Sequence, residues 1–319
     1  SVAGIVTDAY NISPAGIAAA AAVAAAVAAA AAAILPSAYT LTAGIDTFTG
    51  LGGSDVFNAA SGTFTTLDAI DGGGGDDTFN VAVTGSYTGL PAASSVTNIE
   101  TLSISASATN AVVTTSGFAG LTSVTAAGAG GVNVTAASTT SIVAINSGAN
   151  AMAIIGGGGT GSFTTGAGAV TVGQTAVVNA YTAVSVIGGS TVAISDNATT
   201  TTADGTSLTT VSLKGNTGAA TLATDGLTTL NLVNNTQNAT VSAIAGTRAL
   251  TINESSSTGG TVADALATTV TLNHTGATAS TGLTVTAVAA TTVNIDSQGT
   301  APTTGSALTV ADVNITAAT

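Results

Sequence analysis

Three nine-residue stretches near the front of the chain hold the residues best suited to chemistry. Gly72-Gly73-Gly74-Gly75-Asp76-Asp77-Thr78-Phe79-Asn80 follows the pattern G-G-x-G-x-D-x-U-x, with U a large apolar residue, at every position. Gly50 to Asn58 misses one glycine, and Leu41 to Thr49 keeps Gly44, Asp46 and Phe48. Glycine permits the positive φ that turns backbone carbonyls inward. Aspartate adds a charged oxygen, and the large residue two places on anchors a short strand. Hard oxygen donors on a flexible loop suit Ca2+, which takes roughly six to eight of them.

Charge points the same way. Asp46, Asp55, Asp68, Asp71, Asp76, Asp77 and Glu100 lie within 55 residues that contain no Lys or Arg. On a compact scaffold they repel one another, and a divalent cation turns that repulsion into a crosslink. Glycine-aspartate turns without metal are the plainer alternative. For Asp68, Asp71 and Asp76 the residues leave two readings open, ligand or solvated turn; Glu100 reads as a capping or strand-end residue. Asp196, Asp204, Asp225, Asp264, Asp296 and Asp312 read as turn formers, and His274 as a surface turn residue with no acidic partner at useful spacing.

Composition removes most other chemistries. The 319 residues carry 2 Lys+Arg against 15 Asp+Glu, a net charge of −13. Lys214 and Arg248 are too few for nucleic acid or anionic lipid, both of which need clustered cations. One histidine and no cysteine leave almost nothing for zinc, thiol or Ser-His-Asp chemistry. The chain is not expected to be an enzyme. A polysaccharide-degrading β-helix would need basic residues gathered at one site, and Lys214, Arg248 and His274 fall on different repeats.

The elements that must position these residues are legible in periodicity. Ser13-Pro14 reads as a helix start, and the near-pure alanine from Ala15 to Leu35 as a helix ended by Pro36. Alanine is only marginally apolar and no aromatic or basic belt flanks the run. A membrane span is not expected, and close packing on neighbouring helices or on the rest of the protein is. Beyond Asn98 an apolar-x-apolar triplet recurs at Val192/Ile194, Val211/Leu213, Leu230/Leu232, Leu250/Ile252, Val270/Leu272, Val293/Ile295 and Val313/Ile315. The steps are 19, 19, 20, 20, 23 and 20 residues. Weaker members are Leu102/Ile104, Val124, Val143/Ile145 and Val170/Val172. A second apolar beat follows about ten residues later, at Leu222, Val241, Val262 and Val285; a Thr-Thr step precedes many triplets and an Asn follows. A repeat of this size with two short strands predicts a parallel β-solenoid with a coil of about 20 residues. An antiparallel sandwich is the alternative, and the near-constant spacing favours the solenoid. The expected fold is therefore mainly β: an alanine-rich helical segment (1–37), a short calcium-binding β-roll (38–97) and the solenoid (98–319).

The full match at Gly72–Asn80 resembles the calcium-binding nonapeptides of RTX proteins. Together with Gly44-Ile-Asp-Thr-Phe-Thr-Gly, Asp68-Ala-Ile-Asp and Thr97-Asn-Ile-Glu-Thr-Leu-Ser-Ile it resembles the RTX-type surface-layer (S-layer) proteins of Gram-negative bacteria, of the Caulobacter type. The likeness covers about 39 to 319 and leaves out the alanine helix. It implies type I secretion, an extracellular, cell-surface location, and self-assembly into a calcium-stabilised two-dimensional lattice. Partners would be other copies of the chain and cell-surface polysaccharide. By motif position it implies Asp46, Asp55 and Asp77 as ligands, with the carbonyls of Gly44, Gly52, Gly53, Gly72, Gly73 and Gly75. One departure matters: eighteen residues beyond Asp46 stands Phe64, so Asp68 or Asp71 would have to complete the broken sites. A secreted adhesin or binding stalk is the alternative function. An ice-binding solenoid is disfavoured, because the threonine pairs precede the strands instead of alternating along them.

Overall fold

The structure, a computed structural model, describes residues 14–32, 35–107, 110–173, 179–196, 205–243, 245–256, 260–275 and 283–298. Helix α1 (Pro14–Ala32) occupies the predicted alanine run. The packing expected for it on the rest of the protein is not seen among the described residues: apart from Gly16 they are exposed. After it the chain winds into a β-solenoid of about 11 turns of roughly 22 residues. The alternation of apolar and polar residues sends one set inward on every coil, and each backbone pairs with the coils on either side.

Among the described residues one sheet of 13 parallel strands runs from Ala38–Thr40 to Thr292–Gln298. At about 4.8 Å per strand it is on the order of 60 Å long. Opposite it a four-stranded sheet (Thr47–Thr49, Ala69–Asp71, Ser95–Thr97, Phe118–Ala119) backs the front coils. A nine-stranded sheet from Asn110–Thr114 to Thr284–Thr286 backs the rest. The long sheet passes residue 98 without a break, Thr78–Val83 pairing with Thr101–Ala106 in continuous register. Inside, Phe57, Phe79, Leu102, Val124 and Ile142 stack one above another, all fully buried. Tyr39 extends the column, its ring stacked 4.7 Å from that of Phe57.

The Thr-Thr and Asn positions prove to be ties between coils. The hydroxyls of Thr182, Thr209 and Thr228 donate to the carbonyls of Gly159, Thr182 and Thr209, at 3.0, 3.2 and 3.2 Å. Farther back, Thr268 and Thr291 do the same to Arg248 and Thr268. On the outer face Asn273 donates to Asn253 and Asn253 to Asn231, each at 2.8 Å.

Three expectations are corrected. Val192/Ile194 and Val170/Val172 do not belong with the other triplets: they lie in the nine-stranded sheet, and the neighbour of Val211 is Val184. In Ser141–Asn146 the inward residues are Ile142 and Ala144, while Val143 and Ile145 face outward. An Ile-Val-Ala-Ile run is compatible with either phase of a two-residue period, and the neighbouring coils choose. The third concerns Leu250/Ile252: Leu230 lies opposite Ile252, not Leu250, which carries Glu254 into line with Leu232 on the inward face. The weak repeat around Phe163 has a local cause. Gly161 occupies the inward column, and the rings of Phe163 and Tyr181, edge to face at 6.1 Å, fill the space it leaves. Val313, Ile315 and Asp312 lie outside the described residues.

Candidate functional site

Asp55, Asp77 and Glu100 stand at one corner of three successive coils, each immediately before a strand of the long sheet. The amide of Ser37 donates to Asp55 Oδ1 (2.6 Å), that of Asp55 to Asp77 Oδ1 (2.7 Å), and that of Asp77 to Glu100 Oε2 (2.7 Å). A shorter column stands before the four-stranded sheet, where the Asp46 amide donates to Asp68 Oδ1 at 2.8 Å. Each acid thus receives an N–H from the preceding coil, or caps its own loop, or does both. Asp55 Oδ2 accepts from Leu51 N–H, Asp46 Oδ2 from Thr42 N–H and Asp68 Oδ2 from Thr65 N–H. Charge-assisted bonds of this kind are the stronger class, and here they join coils to one another.

The step is 22 residues, from Asp46 to Asp68 and from Asp55 to Asp77. That is why Phe64 stands where an 18-residue step would put an acid. Phe64 packs instead, edge to face, on Phe79 at 5.0 Å.

The fit to calcium differs along the block. Both oxygens of Asp46, Asp55 and Asp68 already accept hydrogen bonds. Asp77 Oδ2 is fully buried and has no hydrogen-bond partner. Asp76 beside it is exposed and Asp71 half-buried, its Oδ1 accepting from Gly73 N–H and Asn98 Nδ2. Among the described residues no three acids converge as a ligand cluster. Among the described residues of the block, Asp77 Oδ2 is therefore the buried carboxylate oxygen left without a donor. Elsewhere in the block amide protons hold the oxygens.

The glycines of the pattern let successive loops lie against one another. Gly73 (φ 86°) and Gly75 (φ 117°) are left-handed, and a Cβ on them would sit 2.5 Å from Leu51 O and 2.6 Å from Gly53 O. A Cβ on Gly72 would overlap the Asn98 carbonyl and come within 2.5 Å of Asp77 Oδ2. Gly53 is buried beneath this stack, whereas Gly44 and Gly52 are exposed.

Burial raises the pKa of Asp77, and the nearby Glu100, Asp55 and Asp76 carboxylates raise it further, against the Asp55 amide, which lowers it. A carboxyl raised in the fold binds its proton more tightly than in the unfolded chain. Its contribution to stability is complete below the ordinary value of 3.8 and is lost as pH rises through the folded value. In chelator, hydrogen exchange at the Asp55 amide is expected to slow as pH is lowered from neutral, after correction for intrinsic exchange. Asp77→Asn should remove Asp77's share of that dependence. An unchanged pH profile in the variant would refute the assignment.

Two further acids that sequence reading placed in turns, Asp264 and Asp196, lie inside the coils. Asp264 is fully buried; its Oδ2 lies 3.4 Å from Arg248 Nε, and Arg248 Nη1 donates to the Thr224 carbonyl at 3.0 Å. Asp196, also buried, accepts from Ser207 Oγ, Leu208 N–H and Thr224 Oγ1. His274 is not a turn residue: it stands on the strand Ala267–Thr275 and its Nδ1 meets the buried carboxylate of Glu254. Glu254 precedes it by 20 residues, one coil of the solenoid, so that the repeat length is itself the spacing that pairs them. Asp225 is half-buried and Asp296 exposed on a strand; Asp204 lies outside the described residues.

No protein-family model matches the chain, and no curated protein matches it.

Proposed function

We propose that the chain is a structural, non-enzymatic protein of the cell surface that assembles with copies of itself into a calcium-stabilised extracellular lattice. The observation that carries this reading is the stack of acids at the front corner. Asp55, Asp77 and Glu100 are joined coil to coil through a rod that has no Lys or Arg before residue 214. Their charge has no Lys or Arg nearby, and a buried carboxylate oxygen without a hydrogen-bond partner, Asp77 Oδ2, belongs to the same column. A divalent cation at Asp77 Oδ2, with Asp76 beside it, would neutralise that corner. A rod of parallel coils tied by threonine and asparagine presents the same surface many times over, as a lattice subunit needs. The resemblance of the 44–104 block to RTX-type S-layer proteins supports secretion and a surface location, with cell-surface polysaccharide as a further partner.

Millimolar Ca2+ is expected to produce ordered sheets, seen by electron microscopy, that EGTA disperses. Asp76→Asn/Asp77→Asn should raise the calcium needed for assembly at least several-fold. Sheets unchanged by chelation would end the calcium part of the proposal. A chain that stays monomeric at millimolar Ca2+ would point to the stalk of a secreted adhesin.

A further inference from the structure

One side of the front coils widens from coil to coil. Between the long sheet and the four-stranded sheet the first coil turns in six residues (41–46), the second in nine (60–68) and the third in eleven (84–94). The two longer turns enclose a cavity of about 290 Å3, with Phe64, Val81, Tyr87, Leu90 and Pro91 among its walls. The exposed residues Ser86 and Thr88 add hydroxyls to it. Both turns are fixed by their own bonds. Ser61 Oγ lies 3.1 Å from Thr84 Oγ1 and accepts from the Thr84 amide at the same distance, joining one turn to the other. Thr63 N–H donates to the Ala60 carbonyl, Ser94 Oγ to that of Pro91 and Val112 N–H to that of Tyr87. Leu67 (φ 73°) and Ala93 (φ 59°) are left-handed, a conformation that costs energy outside glycine and recurs at ligand sites. A concave, largely pre-formed and mostly apolar cleft with a few polar groups is the usual form of a small-molecule site.

The chemistry of the lining narrows the ligand. No described residue of the lining is charged, so neither an anion nor a cation finds a counter-charge there. Tyr87 stays neutral as well, because burial raises its pKa well above the ordinary 10.0. The acids of the same coils repel phosphates, sulfates and uronates on approach. A hydrocarbon would strip water from the hydroxyls and the turn backbone without replacing its hydrogen bonds. A pyranose ring meets both demands: its C–H face packs on apolar side chains while its hydroxyls take the place of water. The cavity stands at the low end of ligand sites, which run from about 300 to 1,000 Å3, and so has room for a single ring. We propose that it is a carbohydrate site for one neutral pyranose unit. The C–H face would lie against Phe64, Leu90 and Pro91, with the hydroxyls toward Ser86 and Thr88. For the source of the sugar, a cell-surface polysaccharide, this inference rests on the proposed function.

Saturation-transfer NMR on the full-length chain tests the site, with the methyl glycosides of glucose, mannose, galactose and N-acetylglucosamine as probes. At least one is expected to bind with millimolar affinity and to receive saturation most strongly at its ring C–H protons. Ala60 lines the cavity yet is exposed, so Ala60→Trp should fill the space and abolish the signal. The solenoid is expected to remain folded in this variant, as circular dichroism would verify. Phe64→Leu keeps the apolar bulk without the ring and should weaken binding several-fold. Silence from every glycoside would overturn the inference, as would a signal that Ala60→Trp leaves unchanged. Tighter binding of glucuronate than of methyl glucoside would overturn the neutral assignment. Dextran and mannan at equal sugar content address the source: competition by either supports a polysaccharide, and glycosides that neither displaces would overturn that source in favour of a free sugar. The two readings fail separately. Glycoside binding without calcium-induced sheets would sink the lattice and leave the cavity. Sheets without glycoside binding would do the reverse.

Discussion

Replacing Asp264 by leucine alone is expected to destabilise the rear coils by about 3–5 kcal/mol, the usual consequence of stripping a buried charge of its partner. Arg248 would then hold its guanidinium inside the coil against little more than the Thr224 carbonyl. Its Nε and Nη2 already lack hydrogen-bond partners with the carboxylate present. The Leu266 amide would also lose the acceptor it has in Asp264 Oδ1 at 3.0 Å. The double change Arg248→Met/Asp264→Leu should recover most of the loss, because desolvating an ion pair offsets much of its Coulomb gain. Burial raises the Asp264 pKa while the Leu266 amide and Arg248 lower it, a balance that fits a costly but paired carboxylate. Solenoids unfold locally, so hydrogen exchange along Arg248–Ser255 and Ala267–Thr275 is the measurement of choice. A loss below about 1 kcal/mol in the single variant would mean that water reaches the pair.

The front coils should depend as sharply on Asp55. Asp55→Ala removes acceptors for two amides, Ser37 at 2.6 Å and Leu51 at 2.7 Å. At about 1.5–3 kcal/mol for each bond to a charged group, the expected loss is about 2–4 kcal/mol after water recovers part of it. Removing a like charge beside Asp77 and Glu100 works in the opposite direction but is the smaller effect. Asp55→Asn should be nearly as damaging, because its NH2 group would face one of the same N–H donors. Asp77→Ala is expected to be milder than Asp55→Ala: it gives up one amide bond and also removes a buried oxygen that has no partner. Urea titrations followed by exchange at Leu51 and Ser37 separate these cases. If Asp77→Ala proved the more harmful of the two, repulsion and a bound cation would outweigh the amide ties at this corner.

Several side-chain assignments were out of reach of pattern reading, each for a definite reason. The Val143/Ile145 triplet is apolar enough for the interior, but Ile142 and Ala144 take it because the adjoining coils set the phase. Among the described residues coil length runs from 18 residues between Ala38 and Val56 to 28 between Val192 and Ala220, so a fixed period drifts between sheets. His274 looked solitary because linear spacing hides a neighbour, Glu254, that is one coil away.

The wound parallel architecture, its inward valine, leucine and isoleucine columns and the start of the alanine helix followed from the sequence alone, since local propensity and a two-residue alternation repeated many times leave few alternatives. The aspartate-glycine loops were also visible as a cluster needing cations or donors. Which of these answered the need depended on the tertiary structure. Stacking at 22-residue steps brings the amide of one acid to the carboxylate of the next, supplying donors that no stretch of nine residues contains. It leaves the free oxygen of Asp77 and the cavity beside Phe64 as the places where the fold alone does not complete the chemistry.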